Sequence, residues 1–113
     1  MPDDFLAEFE MYVMLAVEQC GEEAYGLAIR WCIESRTGRP VSVGALYTTL
    51  ARLESKGYLH MHEPAPEEGK RGRPRRYCEI TPAGRRALRH SVGMLARMAE
   101  GTGAEPVWKG VSE

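Results

Sequence analysis

Arg52 has the side chain best suited to reading a chemical pattern, because a guanidinium holds its donors in one rigid plane. On a helix, Thr48 four residues before it and Ser55 three after it share its side with Gly44 and Ala51. Apart from Arg52 this side is small, so a second surface can come close to the backbone. A solvated helix face more often carries long Glu and Lys side chains. The guanidinium can pair with guanine in the major groove of a nucleic-acid duplex, and Thr48, Thr49 and Ser55 can touch bases or phosphates. The plainer alternatives for Arg52 are an i,i+4 pairing along its own helix and a contact to phosphate alone. Tyr47 falls at the edge of this side, where its ring packs and its hydroxyl can reach a phosphate. With Ser42 these residues make up the candidate binding helix.

A second group, Lys70, Arg71, Arg73, Arg75 and Arg76, offers cations for phosphates. The alternative is a solvated charge run. His60 and His62 alternate along one strand face, but a metal site needs three or four converging ligands and nothing adjacent supplies the rest, so no metal is expected. Cys20, Cys32 and Cys78 are odd in number and widely spaced, which predicts reduced core thiols rather than disulfides or a CxxC site. No Ser-His-Asp set, glycine-rich phosphate loop or carboxylate pair is recognisable. The expectation is therefore a protein that is not an enzyme and has no cofactor.

These groups need elements to hold them. From Val41 to Leu59, Val43, Leu46, Leu50 and Leu53 form one apolar stripe of helical spacing. Ser42 is its N-cap, and Gly57 ends it with Tyr58 folded back on Leu53. A helix over Ala24–Arg36, with Tyr25, Ile29, Cys32 and Ile33 inward and Trp31 at the margin, precedes it across the break Thr37–Pro40. Two helices joined by so short a turn match a helix-turn-helix. The first helix, Asp4–Cys20, is apolar on a broad front: Phe5, Phe9, Val13, Ala16, Val17 and Cys20, widened by Leu6, Tyr12, Met14 and Leu15. One side packs beneath the binding helix, and the other is free to meet a second copy. After Gly57 the period turns to alternation. Leu59 and Met61 face one way, Tyr58, His60 and His62 the other, and a second strand covers Arg75–Ile80. Between them PAPEEGKRGRP reads as a basic hairpin tip, the wing of a winged helix.

Thr81 and Pro82 open a last helix carrying Leu88, Val92, Leu95 and Ala99, with Met94 and Met98 alongside. So small a domain has no core left to bury this stripe, which predicts a homodimer through Phe5, Phe9, Tyr12, Leu88, Val92, Leu95 and Met98. Arg85, Arg86 and Arg89 can bind phosphates or cover acids on the partner's first helix. The expected fold class is mainly α with a small β-hairpin: a winged helix-turn-helix over 1–80, a dimerisation helix over 81–100 and a flexible tail over 101–113.

A chain of 113 residues makes one small domain. Its net charge of −1 hides two poles: Met1 to Glu34 holds eight acids against Arg30, while Lys70 to Arg97 holds nine bases against Glu79. Such a molecule can grip a polyanion with one face and keep the other away. No stretch is long and apolar enough for a membrane helix, and no basic segment followed by an apolar one opens the chain, so a cytoplasmic protein is expected.

The segments EEAYGLAIR (22–30), SVGALYTTLARLESKGYL (42–59), GRPRRYCEIT (72–81) and TPAGRR (81–86) resemble the PadR-type transcriptional regulators. The resemblance implies a homodimeric winged-helix repressor, with Tyr47 and its helix in the major groove and the basic wing on the neighbouring backbone or minor groove. Many members have prolines where this chain has Val43 and Thr48, so base preference does not carry over. Tyr12, Trp31, Met94, Met98 and Trp108 are candidates to line a pocket for a small hydrophobic or aromatic effector; dimer packing explains most of them equally well. The competing function is a winged-helix module that binds a partner protein without specific DNA binding.

Overall fold

The computed structural model describes residues 5–63 and 75–105. Helix α1 (Glu8–Cys20) leads through a single 3₁₀ turn (Gly21–Glu23) to α2 (Gly26–Thr37) and α3 (Val43–Ser55). An antiparallel hairpin, β1 (Leu59–His62) and β2 (Tyr77–Ile80), precedes α4 (Pro82–Ala99).

Both ends of α3 are fixed by local chemistry. Ser42 Oγ accepts from the Ala45 amide at 3.1 Å. At the other end Gly57 has φ 82°, the Gly57 amide donates to Glu54 O and the Tyr58 amide to Leu53 O, both at 2.9 Å. This is the Schellman pairing expected of that glycine. Leu46, Leu50 and Leu53 are completely buried, but Val43 is half exposed. The stripe therefore has three members rather than four, because Val41, in the turn ahead of the helix, fills the core at that end. Tyr58 is buried too, although alternation put it outside with His60. It belongs to the helix end, where the chain turns back over the core, and β1 starts only at Leu59.

Helix α1 starts at Glu8 rather than Asp4. Leu6 is buried and Ala7 is extended, and Glu10 Oε1 accepts from the Ala7 amide at 2.8 Å, which satisfies one donor left over at the helix start. Val13, Met14, Ala16 and Val17 form its buried face. Helix α2 starts two residues later than expected because the preceding residues pair with the hairpin: the Cys78 amide donates to Ala24 O at 2.8 Å, and Tyr25 bridges Tyr77. Ile29, Cys32 and Ile33 face the core, while Trp31 is 69% exposed rather than marginal. The turn between α2 and α3 is tied down by Arg30 Nε, which donates to Val41 O at 2.7 Å, and by Glu34, which accepts from the Val41 amide at 2.9 Å.

Leu59 pairs with Ile80 and Met61 with Cys78, so the hairpin lays Leu59 and Cys78 on the core. Helix α4 begins as its sequence requires, with Thr81 Oγ1 accepting from the Gly84 amide at 3.0 Å and Pro82 in the first turn. Gly84 passes so close beneath Tyr58 that a Cβ would overlap the Tyr58 carbonyl. Ala87, Leu88 and Ser91 are buried in this chain's own fold, whereas Val92, Leu95 and Met98 are exposed.

Candidate nucleic-acid interface

Gly44, Thr48, Ala51, Arg52 and Ser55 are all exposed on the outer side of α3. No ion pair holds the Arg52 guanidinium among the described residues. Thr49 is different. It lies on the inner stripe, three residues after Leu46, and is only 5% exposed, so its hydroxyl is not on the outer surface. Ser42 is exposed, with its oxygen already engaged as the cap. Tyr47 leans across the start of α2, where its hydroxyl occupies the space a side chain at Gly26 would need. That leaves half of Tyr47 exposed beside the outer face.

Lys70, Arg71 and Arg73 lie outside the described residues; Arg75 and Arg76 are exposed at the root of the hairpin. The Arg75 guanidinium sits 4.2 Å from the centre of the Tyr25 ring, and Tyr25 meets Tyr77 edge-on at 5.7 Å. A hydrogen bond to Tyr77 and then the nearby Tyr25 raise the pKa of Arg75 above its ordinary value, so it stays a cation at any working pH. Arg76 lies 4.0 Å from Glu54 of α3. The wing root is therefore tied to both helices of the helix-turn-helix. Tyr25 was not among the sequence candidates. Its only cue was an aromatic residue directly before the glycine that opens α2.

Elsewhere, several expected roles shift. Arg85 pairs with Glu18 of this chain's own α1, not with an acid of a partner. Leu88 serves its own core, which removes it from the exposed surface expected of a dimer contact. Arg39 pairs with Glu8 at 2.8 Å and stands 5.7 Å from the ring centres of both Phe9 and Tyr12, covering two residues expected to face a second copy. That guanidinium holds the Glu8 carboxyl below its usual range. Phe5, Val92, Leu95 and Met98 remain exposed, Met98 by 78%.

Neither described cleft is lined by Tyr12, Trp31, Met94 or Met98, Trp31 and Met98 being largely exposed, and Trp108 lies outside the described residues. A cleft of about 680 Å³ opens instead between the end of α1, the hairpin and Arg85, lined by Val17, Glu22, Tyr77, Cys78 and Glu79. Burial pushes the Cys78 thiol up to about 11, and burial followed by the Cys32 neighbour raises Cys20. Both thiols are protonated at neutral pH. The His60 and His62 rings stack at 6.0 Å, and no metal-holding group of three or more His, Cys, Asp or Glu exists among the described residues.

A helix-turn-helix whose binding helix is bare on its outer side, next to a hairpin rooted in two arginines, is the arrangement of a winged-helix regulator. Residues 13–90 match the model of the Transcriptional regulator PadR-like family. The chain belongs to this family. It is 44% identical over 65 residues to the transcriptional regulator Rv3488 of Mycobacterium tuberculosis, covering 58% of this chain and 57% of that protein. A 37.1 kDa protein from transposon TN4556 of Streptomyces fradiae is 37% identical over 75 residues, 66% of this chain and 20% of that protein. The chain thus spans only a fifth to just over half of these curated relatives. A PadR family transcriptional regulator from Eggerthella lenta has the same fold at TM-score 0.62, with 31% identity over 83% of this chain and 81% of that one. The family comprises regulators, not enzymes, and no described helix is long and apolar enough to cross a membrane.

Proposed function

We propose that this PadR-like chain is a cytoplasmic, homodimeric repressor that binds a two-fold related operator, with α3 in the major groove and the wing on the flanking backbone. The observation that carries the reading is the outer side of α3. A helix locked at both ends and buried by Leu46, Leu50 and Leu53 presents Gly44, Thr48, Ala51, Arg52 and Ser55 outward, with Tyr47 half exposed beside them. Arg52 acts on base edges, Thr48 and Ser55 on bases or phosphates, Tyr47 through its hydroxyl on a phosphate, and Arg75 and Arg76 on phosphates together with Lys70, Arg71 and Arg73. The exposed Phe5, Val92, Leu95 and Met98 support pairing of two copies, which sets half-sites about one helical turn apart. Control by a small hydrophobic or aromatic compound is supported only by Met94 and Met98, which lie on the same helix as that pairing surface.

The test is fluorescence anisotropy of the purified chain on a duplex from upstream of its own coding region, against a scrambled duplex, across a salt series. A dimer neutralising about six to eight phosphates gives a log–log salt slope of roughly −5 to −7. A slope near zero, or equal binding to both duplexes at every salt concentration, rejects the reading.

A further inference from the structure

Among the described residues Glu10 is the one buried carboxylate, 5% exposed. Its two oxygens serve different parts of the fold. Oε1 accepts from the Ala7 amide at 2.8 Å, and Oε2 lies 3.2 Å from Nζ of Lys56, the residue that closes α3. One residue before Ala7, the Leu6 amide donates to Ser91 Oγ on α4 at 3.0 Å, a buried bond between residues 85 apart in sequence. The Leu6 side chain is itself buried. Lys56, Glu10, the amides of Ala7 and Leu6, and Ser91 therefore form an unbroken run from the binding helix to the helix whose far half is bare.

An ion pair with one buried member, as here with Glu10 buried and Lys56 reaching solvent, is a poor source of net stability, since desolvating the carboxylate offsets most of the attraction. What it supplies is a fixed geometry, because each oxygen of Glu10 has one donor and neither bond can shift without leaving a buried charge unmatched. We propose that Glu10 is a positioning residue that sets α3 against α4, through Lys56 on one side and through Leu6, Ala7 and Ser91 on the other. In the dimer this sets the spacing and angle of the two binding helices. The inference rests on the DNA-binding reading above for its consequence, but not for the coupling within one chain.

Charge and geometry predict opposite signs for Glu10→Gln. Removing an acid from a protein that grips a polyanion strengthens binding if charge alone matters. Misplacing α3 weakens it, by about tenfold for a coupling of ordinary size. The measurement is anisotropy on the upstream duplex at fixed salt, and equal or tighter binding by the folded variant overturns the proposal. Because Glu10→Gln leaves Lys56 without its partner, the double variant Glu10→Gln with Lys56→Gln serves beside it. It keeps the net charge and removes both the buried carboxylate and the more exposed ammonium that faces it, so a thermal midpoint near that of the native chain with binding still about tenfold weaker is expected. Native affinity in that variant overturns the proposal, and Lys56→Arg is expected to bind as the native chain does.

A second arm contains no DNA. Native-state hydrogen exchange of Lys56→Gln is expected to lose protection at the Ala7 and Leu6 amides, and exchange confined to the end of α3 overturns the relay. If the native chain fails to bind the duplex while the exchange result holds, the DNA reading falls and the coupling stands.

Discussion

Helices α3 and α4 are built alike and end differently. Each starts on a hydroxyl N-cap, Ser42 or Thr81, and each carries an apolar stripe of helical spacing. The three buried leucines of α3 close entirely within their own chain, leaving outside the small Gly44, Thr48, Ala51 and Ser55 with Arg52, while Val43 and Tyr47 are half exposed. The stripe of α4 is divided: Ala87 and Leu88 are buried at home, while Val92, Leu95 and Met98 are bare. Periodicity announces that a face needs burial, but not where the covering surface comes from. The residues left over carry that information, a low polar face suiting a nucleic acid and an apolar one suiting another protein surface.

The contrast can be broken by substitution, beginning with the core. Leu50→Ala and Leu88→Ala are each expected to lower unfolding free energy by about 2–5 kcal/mol in urea titrations, Leu50 at the upper end because it is the more fully enclosed. Gly84→Ala forces its methyl against the Tyr58 carbonyl and costs about 1–3 kcal/mol. Leu95→Glu, only seven residues beyond Leu88, is expected to leave unfolding of the single chain within about 0.5 kcal/mol and instead to shift sedimentation from dimer to monomer. If Leu95→Glu unfolds the chain, or leaves the assembly intact, the two halves of α4 do not divide as described.

The outer face of α3 and the wing root are separated by a finer measurement. Arg52→Ala is expected to remove about 1–3 kcal/mol of discrimination between the upstream and scrambled duplexes. Arg76→Ala is expected to weaken both duplexes alike and reduce the salt slope by about one. A result in which the two variants behave identically removes base reading from Arg52.

How much of this could be read beforehand depends on the range of the interaction. Ser42, Gly57, Thr81 and Pro82 act on neighbours within a few residues, and the helix ends they mark are where the sequence put them. Thr49 was misplaced because its type suggested a polar face while its spacing from Leu46 and Leu53 put it in the core. Tyr25 and Glu10 could not be singled out. Their partners, Arg75 and Lys56, are some fifty residues away, and nothing in the local pattern says that a chain folding back will bring them together. Arg85 shows the same limit, since a basic helix start and an acidic α1 predict attraction without saying whether it lies within one chain or between two.

The smallest effect expected concerns Arg39, which joins the helix-turn-helix turn to α1 from an exposed position. Its guanidinium holds Glu8 below the ordinary carboxylate value, first by a hydrogen bond and then by charge. Because the folded-state pKa is the lower one, the pair contributes stability above the ordinary carboxylate pKa of 4.5 and loses that contribution as pH falls through the depressed value. Glu8→Gln is therefore expected to lower the thermal midpoint slightly at pH 7 and not at all once the native Glu8 is protonated. High salt should shrink the difference at pH 7, because both groups are exposed. A difference that persists in acid would mean that Glu8 acts through its packing beside Tyr12 rather than through its charge, and the cation over Phe9 and Tyr12 would then hold the turn by itself.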